Sequence, residues 1–177
     1  MRSLPLLLAL LVSSAALAQT PYAGMQTRGI KALSDSQIGD LQAGRGMSLA
    51  LAAELNGYPG PLHVLELADK LGLSAEQRGK VQQLFEAMKA EAVSLGAKLI
   101  EQEAELDRQF SGRTITPESL KSMTAAIAAT QGRLRETHLK YHLSTAALLR
   151  LQQIAQYAEL RGYAGGHAPA GHHQRGH

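Results

Sequence analysis

The sequence predicts an all-α fold built around a long antiparallel helical hairpin. Apolar residues recur at three- and four-residue spacings over two long segments, which begin at residues 75 and 117. The run Ser111-Gly112-Arg113-Thr114 interrupts the pattern and separates the two segments. The 177-residue chain has no cysteine and no tryptophan, so its stability must come from the packing of small apolar side chains.

The first long helix is predicted to begin at Ser74. The Ser74 hydroxyl can accept from the amide of Gln77, whose side chain can reach back to the amide of Ser74, which is a capping box. From 75 to 110 the helix would be about 54 Å long at about 1.5 Å per residue. Its apolar stripe comprises Val81, Leu84 or Phe85, Met88, Ala92, Leu95, Leu99, Leu106 and Phe110.

The second long helix is predicted to begin at Thr116, with Pro117 in its first turn. Its stripe comprises Leu120, Met123, Ile127, Leu134, His138, Tyr141, Leu148, Leu151 and Ala155. We expect the two stripes to pair. Alanine-rich contacts bury little apolar area per residue, so a thin hairpin would leave apolar surface that a homodimer could cover.

The N-terminus has the features of a secretory signal peptide over residues 1–18. Arg2 supplies the positive charge, an apolar run covers residues 4–12, and Ala16-Leu17-Ala18 is a small-x-small cleavage site. We expect cleavage after Ala18 and a soluble periplasmic protein, with an uncleaved anchor as the alternative.

Shorter helices are predicted ahead of the hairpin. Residues 19–57 form an N-terminal extension, in which Ser34 and Gln37 could cap a short or bent helix that three glycines weaken. The hairpin domain covers 58–162 and opens with a short helix that ends at Gly72. Residues 163–177 are predicted to be a flexible, histidine-rich tail.

Two boxes carry a family resemblance. Leu73-Ser74-Ala75-Glu76-Gln77 and the weaker Leu148-Leu149-Arg150-Leu151-Gln152 resemble the paired LTxxQ motifs of the Spy/CpxP family of periplasmic proteins. That family includes the zinc resistance-associated proteins and is related to periplasmic heavy-metal sensors. The resemblance covers about 62–162, and its motif residues are Leu73, Ser74, Gln77, Leu148 and Gln152. Because Leu149 replaces the capping hydroxyl, the sequence leaves three alternatives open for the second long helix: it continues to Leu160, it kinks near Ser144, or it breaks between Ser144 and Leu149.

The resemblance implies a curved, dimeric cradle that holds unfolded periplasmic proteins without ATP. It equally allows a regulator that signals envelope stress to a membrane sensor. Methionines and basic side chains suit adaptable contacts with varied clients. The candidates for client binding by residue type are Met88, Met123, Lys89, Lys98, Lys121, Arg133 and Arg135.

Histidines suggest a metal function. His138 and His142 are one helical turn apart and could ligate one ion, with a third ligand from Glu136, His63, Glu66 or a dimer mate. Alternatively, one of the pair packs against the neighbouring helix and the other is solvated. The tail residues His167, His172, His173 and His177 could bind Zn, Cu or Ni loosely. No cofactor is expected to be required.

Other functional classes are disfavoured. No glutamate follows His138 as a zinc protease requires, and no cysteine nucleophile or nucleophile elbow is present, so we expect no enzyme activity. The net charge of +3 gives no reason to expect nucleic-acid binding. The two hypotheses are therefore a periplasmic ATP-independent chaperone and a heavy-metal sensor or resistance protein.

Overall fold

The computed structural model describes residues 22–163, and all regular structure in this range is helical. A 3-10 turn at Met25–Thr27 precedes the α-helices. These are α1 (Asp35–Ala43), α2 (Leu51–Glu54), α3 (Pro61–Glu66), α4 (Ala75–Ser111), α5 (Pro117–Leu148) and α6 (Leu151–Leu160). The predicted all-α class is confirmed. The proposed signal peptide and the four tail histidines lie outside the described residues.

The two long helices begin where the capping patterns predict. In α4, Ser74 Oγ accepts from the backbone N–H of Gln77, and Gln77 Oε1 accepts from the backbone N–H of Ser74, both at 3.1 Å. Thr116 caps α5 in the same way, with Pro117 in the first turn. The two helices make the most extensive packing contact in the fold. Among the described helices, none is long and apolar enough to cross a membrane.

The segment before residue 58 packs into the same core as the hairpin. Buried side chains from it and from the two long helices form one cluster, which comprises Leu33, Leu41, Ala92, Leu95, Leu99, Ile127 and Leu134. The helix α1 crosses α4 at Gly96, where an added Cβ would lie 2.4 Å from the carbonyl oxygen of Leu41. Only glycine permits this approach without a shift of the backbone.

A second apolar cluster closes the end of the hairpin where α4 begins. Its buried members are Val64, Leu71, Val81 and Tyr157. Since Tyr157 belongs to α6 and Val64 to α3, this cluster joins the two short helices to the base of the hairpin. The chain leaves α3 through a turn that ends at Gly72, whose φ of 58° lies in the left-handed region.

Of the alternatives for the end of α5, the structure shows the break, so a continuous or merely kinked helix to Leu160 is wrong. The helix ends at Leu148, Leu149 is extended with ψ 148°, and Arg150 is the N-cap of α6. Gln153 Oε1 accepts from the backbone N–H of Arg150 at 2.9 Å, so half of a capping box forms without a hydroxyl. The second box therefore lies one residue later than the sequence suggested, at residues 149–153. This shift also leaves Leu151 86% exposed, although it belonged to the predicted stripe.

The glutamines of the two boxes contact each other. Gln77 Nε2 donates to Gln153 Oε1 at 3.0 Å, and Gln153 Nε2 donates to Gln77 Oε1 at 3.2 Å. Gln77 also donates to the carbonyl of Leu148, the last residue of α5, at 2.8 Å, and Gln153 donates to that of Leu71 at 3.2 Å. The boxes thus start two helices and join them. Gln152, which the sequence assigned to the motif, is exposed.

Candidate functional site

One side of the hairpin is not covered by α1, α2, α3 or α6. Three open grooves along it are lined only by residues of α4 and α5. We call this surface the open face; its lining includes Lys80, Leu84, Ala87, Ala90, Glu91, Ser94, Glu101, Glu105, Met123, Ala126, Arg133, Glu136, Lys140, Ser144 and Ala147. These positions recur three and four apart, so each helix contributes one side of its surface.

Charged contacts cross the open face. Lys140 Nζ on α5 donates to Glu91 Oε2 on α4 at 2.6 Å, and the Tyr141 hydroxyl donates to Glu91 Oε1 at 2.8 Å. The hydrogen bond from Lys140, reinforced by that from Tyr141, lowers the pKa of Glu91 below its ordinary value. The groove beside this contact is open to solvent and is lined by Ala90, Leu95 and Arg133. The face combines small apolar side chains with both signs of charge.

The opposite side of the hairpin carries a buried carboxylate, Glu54 of α2. It accepts from the backbone N–H of Gly60 at 3.2 Å and from the hydroxyls of Tyr157 and Tyr163, the latter at 3.2 Å. Arg161 Nε lies 3.7 Å from Glu54 Oε1. One side chain that is only 6% exposed therefore connects α2 to α6 and to the residues that follow α6.

Two histidines complete the surroundings of Glu54. His63 Nδ1 lies 3.5 Å from Glu54 Oε1, and His142 Nδ1 lies 3.6 Å from Glu54 Oε2. Burial alone would raise the pKa of Glu54, but the hydrogen bonds that its carboxylate accepts from His63 and Tyr157 outweigh burial and lower the pKa to about 2. Burial and the Glu54 charge in turn raise the pKa of Tyr157. Glu54 is therefore an anion at neutral pH.

The tautomer of His142 is fixed by the backbone. Its Nδ1 lies 2.7 Å from the carbonyl oxygen of Tyr58. Because a carbonyl can only accept, Nδ1 must carry the proton, and neutral His142 presents an unprotonated Nε2. Gly60 lies against this part of the ring, since a Cβ added to it would be 2.8 Å from His142 Nε2. A larger residue at this position would push the ring away.

Next to Glu54 is a cavity of about 470 Å³ with an apolar wall and three histidines. It is lined by Ala43, Gly44, Arg45, Gly46, Ala50, Gly60, Pro61, Leu62, His63, Phe85, Met88, Lys89, His138 and His142. No acidic side chain belongs to this lining. Arg45 is paired with Asp40 at 2.6 Å. We call this space the histidine cavity.

His138 has a different environment from His142. It is 2% exposed, and its Nε2 is buried without a hydrogen-bond partner among the described residues. Burial, followed by the charge of His142, lowers the pKa of His138. His138 is therefore neutral at pH 7. The alternative prediction, that one of His138 and His142 is packed and the other is solvated, is wrong. Both side chains are buried, and both line the histidine cavity.

The structure brings only some of the proposed metal ligands together. His63 joins His138 and His142 at the histidine cavity, whereas Glu66 is exposed and Glu136 lines the open face on the other side of α5. Within residues 22–163, no group of three or more histidine and acidic side chains is arranged to hold a metal ion.

The proposed client-binding residues are dispersed. Met123 and Arg133 line the open face, while Arg135 lines a groove beside α1. Lys98 and Lys121 are exposed outside these grooves. Lys89 lines the histidine cavity, as does Met88, which is only 7% exposed. Met88 therefore cannot belong to an open client surface, because the N-terminal segment covers it.

Sequence reasoning missed the residue at the centre of the buried site. Glu54 contacts Tyr157 and Tyr163, which lie more than 100 residues later in the chain. One feature of the sequence did indicate that Glu54 is buried. It is the only charged residue in the apolar run 49–55, whereas a solvent-exposed helix would carry several charged residues. No family model matches the chain, and searches of curated proteins and of solved structures return no similar protein.

Proposed function

We propose that the protein is a periplasmic, ATP-independent chaperone of the Spy/CpxP type, which binds unfolded clients on the open face. The observation that carries this proposal is the surface itself. It extends along both long helices without cover from the other described elements, and it offers alanines, Met123, basic residues and acidic residues in shallow grooves. Such a surface can make many weak contacts with different sequences, which a holding chaperone requires.

A homodimer is part of this proposal. Several large apolar side chains are at least 49% exposed in the monomer, including Leu51, Leu55, Leu143 and Leu151. A second copy would remove some of this apolar area from water. Sedimentation equilibrium at micromolar concentrations tests this part, with a monomer at all concentrations as the opposing result.

The chaperone proposal is tested by following the light scattering of a reduced, denatured test protein. The metal-free protein should suppress aggregation at near-stoichiometric ratios. Ala87→Glu combined with Ala126→Glu places two charges in the grooves and should weaken suppression at least fivefold. The matched control combines Ala97→Glu with Ala125→Glu, two exposed alanines on the same helices that line none of the described grooves.

Two results would count against the proposal. If the unaltered protein does not suppress aggregation, with or without metal, the chaperone function is wrong. If it suppresses aggregation but both double variants behave alike, the client surface is not the open face. Circular dichroism must first show that both variants remain helical.

A second function, response to a heavy metal, is favoured by one observation. His63, His138 and His142 line one cavity although they lie up to 79 residues apart in the chain. Imidazole nitrogen is a ligand for Zn, Cu and Ni. The alternative proposal is therefore a sensor or resistance protein for one of these metals, and isothermal titration of each ion tests it.

A further inference from the structure

We propose that the histidine cavity binds a small amphiphilic anion, a medium-chain monocarboxylate, whose apolar chain enters the cavity and whose carboxylate stays at the rim beside Lys89. Neither the chaperone nor the metal-responsive proposal requires such a ligand, so the inference goes beyond both. The juxtaposition that motivates it is of an apolar interior and a basic rim around a space that no described carboxylate lines.

The interior of the cavity is apolar. Ala50, Pro61 and Met88 line it and are buried, and Phe85 lines it and is partly buried. The volume of about 470 Å³ is in the range of small-molecule sites in proteins. Each methylene group that leaves water for such a space contributes favourable free energy. The interior therefore suits a hydrocarbon chain better than a wholly polar ligand.

Bare backbone forms part of the wall. Gly44, Gly46 and Gly60 all line the cavity. A Cβ added to Gly46 would lie 3.8 Å from His138 Nδ1, which is an ordinary contact, and it would meet nothing closer. A larger side chain at Gly46 would therefore occupy cavity space without a clash at its first atom.

The rim is basic. Lys89 and Arg45 line the cavity, and both are exposed. They share one edge, because a Cβ on Gly44 would lie 3.1 Å from the backbone carbonyl oxygen of Lys89. Arg45 is paired with Asp40 at 2.6 Å, whereas Lys89 forms no salt bridge within residues 22–163. Lys89 is therefore the available cation at this edge.

The charges favour an anionic head group. No acidic side chain of the described residues lines the cavity. Glu54 lies outside the lining, and its charge is met by Arg161 at 3.7 Å and by the backbone N–H of Gly60 at 3.2 Å. A cationic amphiphile would meet Lys89 and Arg45 without a compensating carboxylate. Because an exposed lysine contributes little binding energy, burial of the chain supplies most of the affinity and Lys89 selects the sign of the head group.

The test is isothermal titration of the full chain with decanoate, below its micellar concentration and in the presence of a metal chelator. We expect one decanoate per chain. Lys89→Glu should weaken decanoate binding at least fivefold but should not change the binding of decanol, which has the same chain and no charge. The matched control is Lys98→Glu, an exposed lysine of the same helix outside the described cavities, which should change neither.

A second pair of variants locates the ligand. Gly46→Leu fills the cavity and should abolish the binding of both decanoate and decanol. Gly79→Leu is the control, because Gly79 is exposed and an added Cβ there meets nothing within 4 Å. Circular dichroism and thermal unfolding check that both variants fold. If Gly46→Leu does not fold, the comparison of decanoate with decanol in Lys89→Glu decides the proposal.

Three results would overturn the inference. The first is that neither decanoate nor decanol binds. The second is that Lys89→Glu and Lys98→Glu have the same effect on decanoate, which excludes a head group at Lys89. The third is binding that survives Gly46→Leu and is lost in Ala87→Glu with Ala126→Glu, which places the ligand on the open face. None of these results decides the chaperone or the metal-responsive proposal, because light scattering without decanoate and titration with metal ions test those.

Discussion

Replacement of Gln153 by alanine should destabilise the fold strongly, although the sequence motif pointed to its neighbour Gln152. The Gln153 side chain is 2% exposed. It accepts from Arg150 N–H at 2.9 Å, exchanges two hydrogen bonds with Gln77 at 3.0 and 3.2 Å, and donates to the Leu71 carbonyl at 3.2 Å. It therefore fastens the start of α6 to the start of α4.

The magnitude follows from this set of hydrogen bonds. Each net hydrogen bond contributes about 1 kcal/mol, and a buried partner left unsatisfied costs more. Gln153→Ala should therefore lower the free energy of unfolding by about 3 kcal/mol. Urea unfolding followed by circular dichroism measures this loss, which corresponds to a fall in Tm of about 10 °C for a domain of this size.

The control is Gln152→Ala. Gln152 is exposed and makes no side-chain hydrogen bond within residues 22–163, so this change should stay within about 0.5 kcal/mol. The cycle of Gln77→Ala, Gln153→Ala and the double variant should give a coupling energy of about 1 kcal/mol, because two hydrogen bonds join the pair. If Gln152→Ala costs as much as Gln153→Ala, or if the coupling is zero, the one-residue shift of the second box is incorrect.

Three further predictions concern other parts of the fold. Arg150→Thr should stabilise the protein by about 1 kcal/mol in urea unfolding, because Arg150 has φ −76° and ψ 152°, which suit an N-cap, and threonine supplies the missing acceptor; no gain would mean that α6 needs no further cap. Gly96→Ala should destabilise by at least 2 kcal/mol and expose α1 to hydrogen exchange, because its Cβ would meet the Leu41 carbonyl; unchanged exchange in α1 would contradict the close crossing. Wild type should be thermally more stable than Glu91→Gln, because Lys140 lowers the pKa of Glu91 in the folded state. This difference in stability should be largest above the ordinary glutamate pKa and should decline as the pH falls below it; a difference that is constant from pH 7 to 3 would argue against this contact.

The helices were predictable because local chemistry determines them. Ser74 with Gln77 and Thr116 with Ser119 satisfy helix-end donors within four residues of sequence, and Pro117 suits the first turn of α5 because it has no N–H to satisfy. The starts of α4 and α5 are therefore visible without any tertiary contact. The start of α6 was not visible in this way. Arg150 has no side-chain acceptor, and the helix begins there because Gln153 is held by Gln77 from across the fold.

The candidate sites show the same division. The spacing of His138 and His142 places them one turn apart on a helix, and both do line one cavity. That Met88 faces the same cavity and is unavailable to clients depends on α1 to α3 lying over this side of the hairpin. No periodicity in α4 distinguishes a residue covered by a distant segment from one left open.

The sequence by itself determined the helical class, the two long helices with their starts and the turn between them, since these depend on residues close together in the chain. Only the tertiary structure decided which side of the hairpin is covered, where α5 ends, and that Glu54 is the buried anion beside His63 and His142. The physical reason is that burial and hydrogen bonding between residues as far apart as Glu54 and Tyr163 depend on chain crossings such as that at Gly96. Local propensity does not encode those crossings.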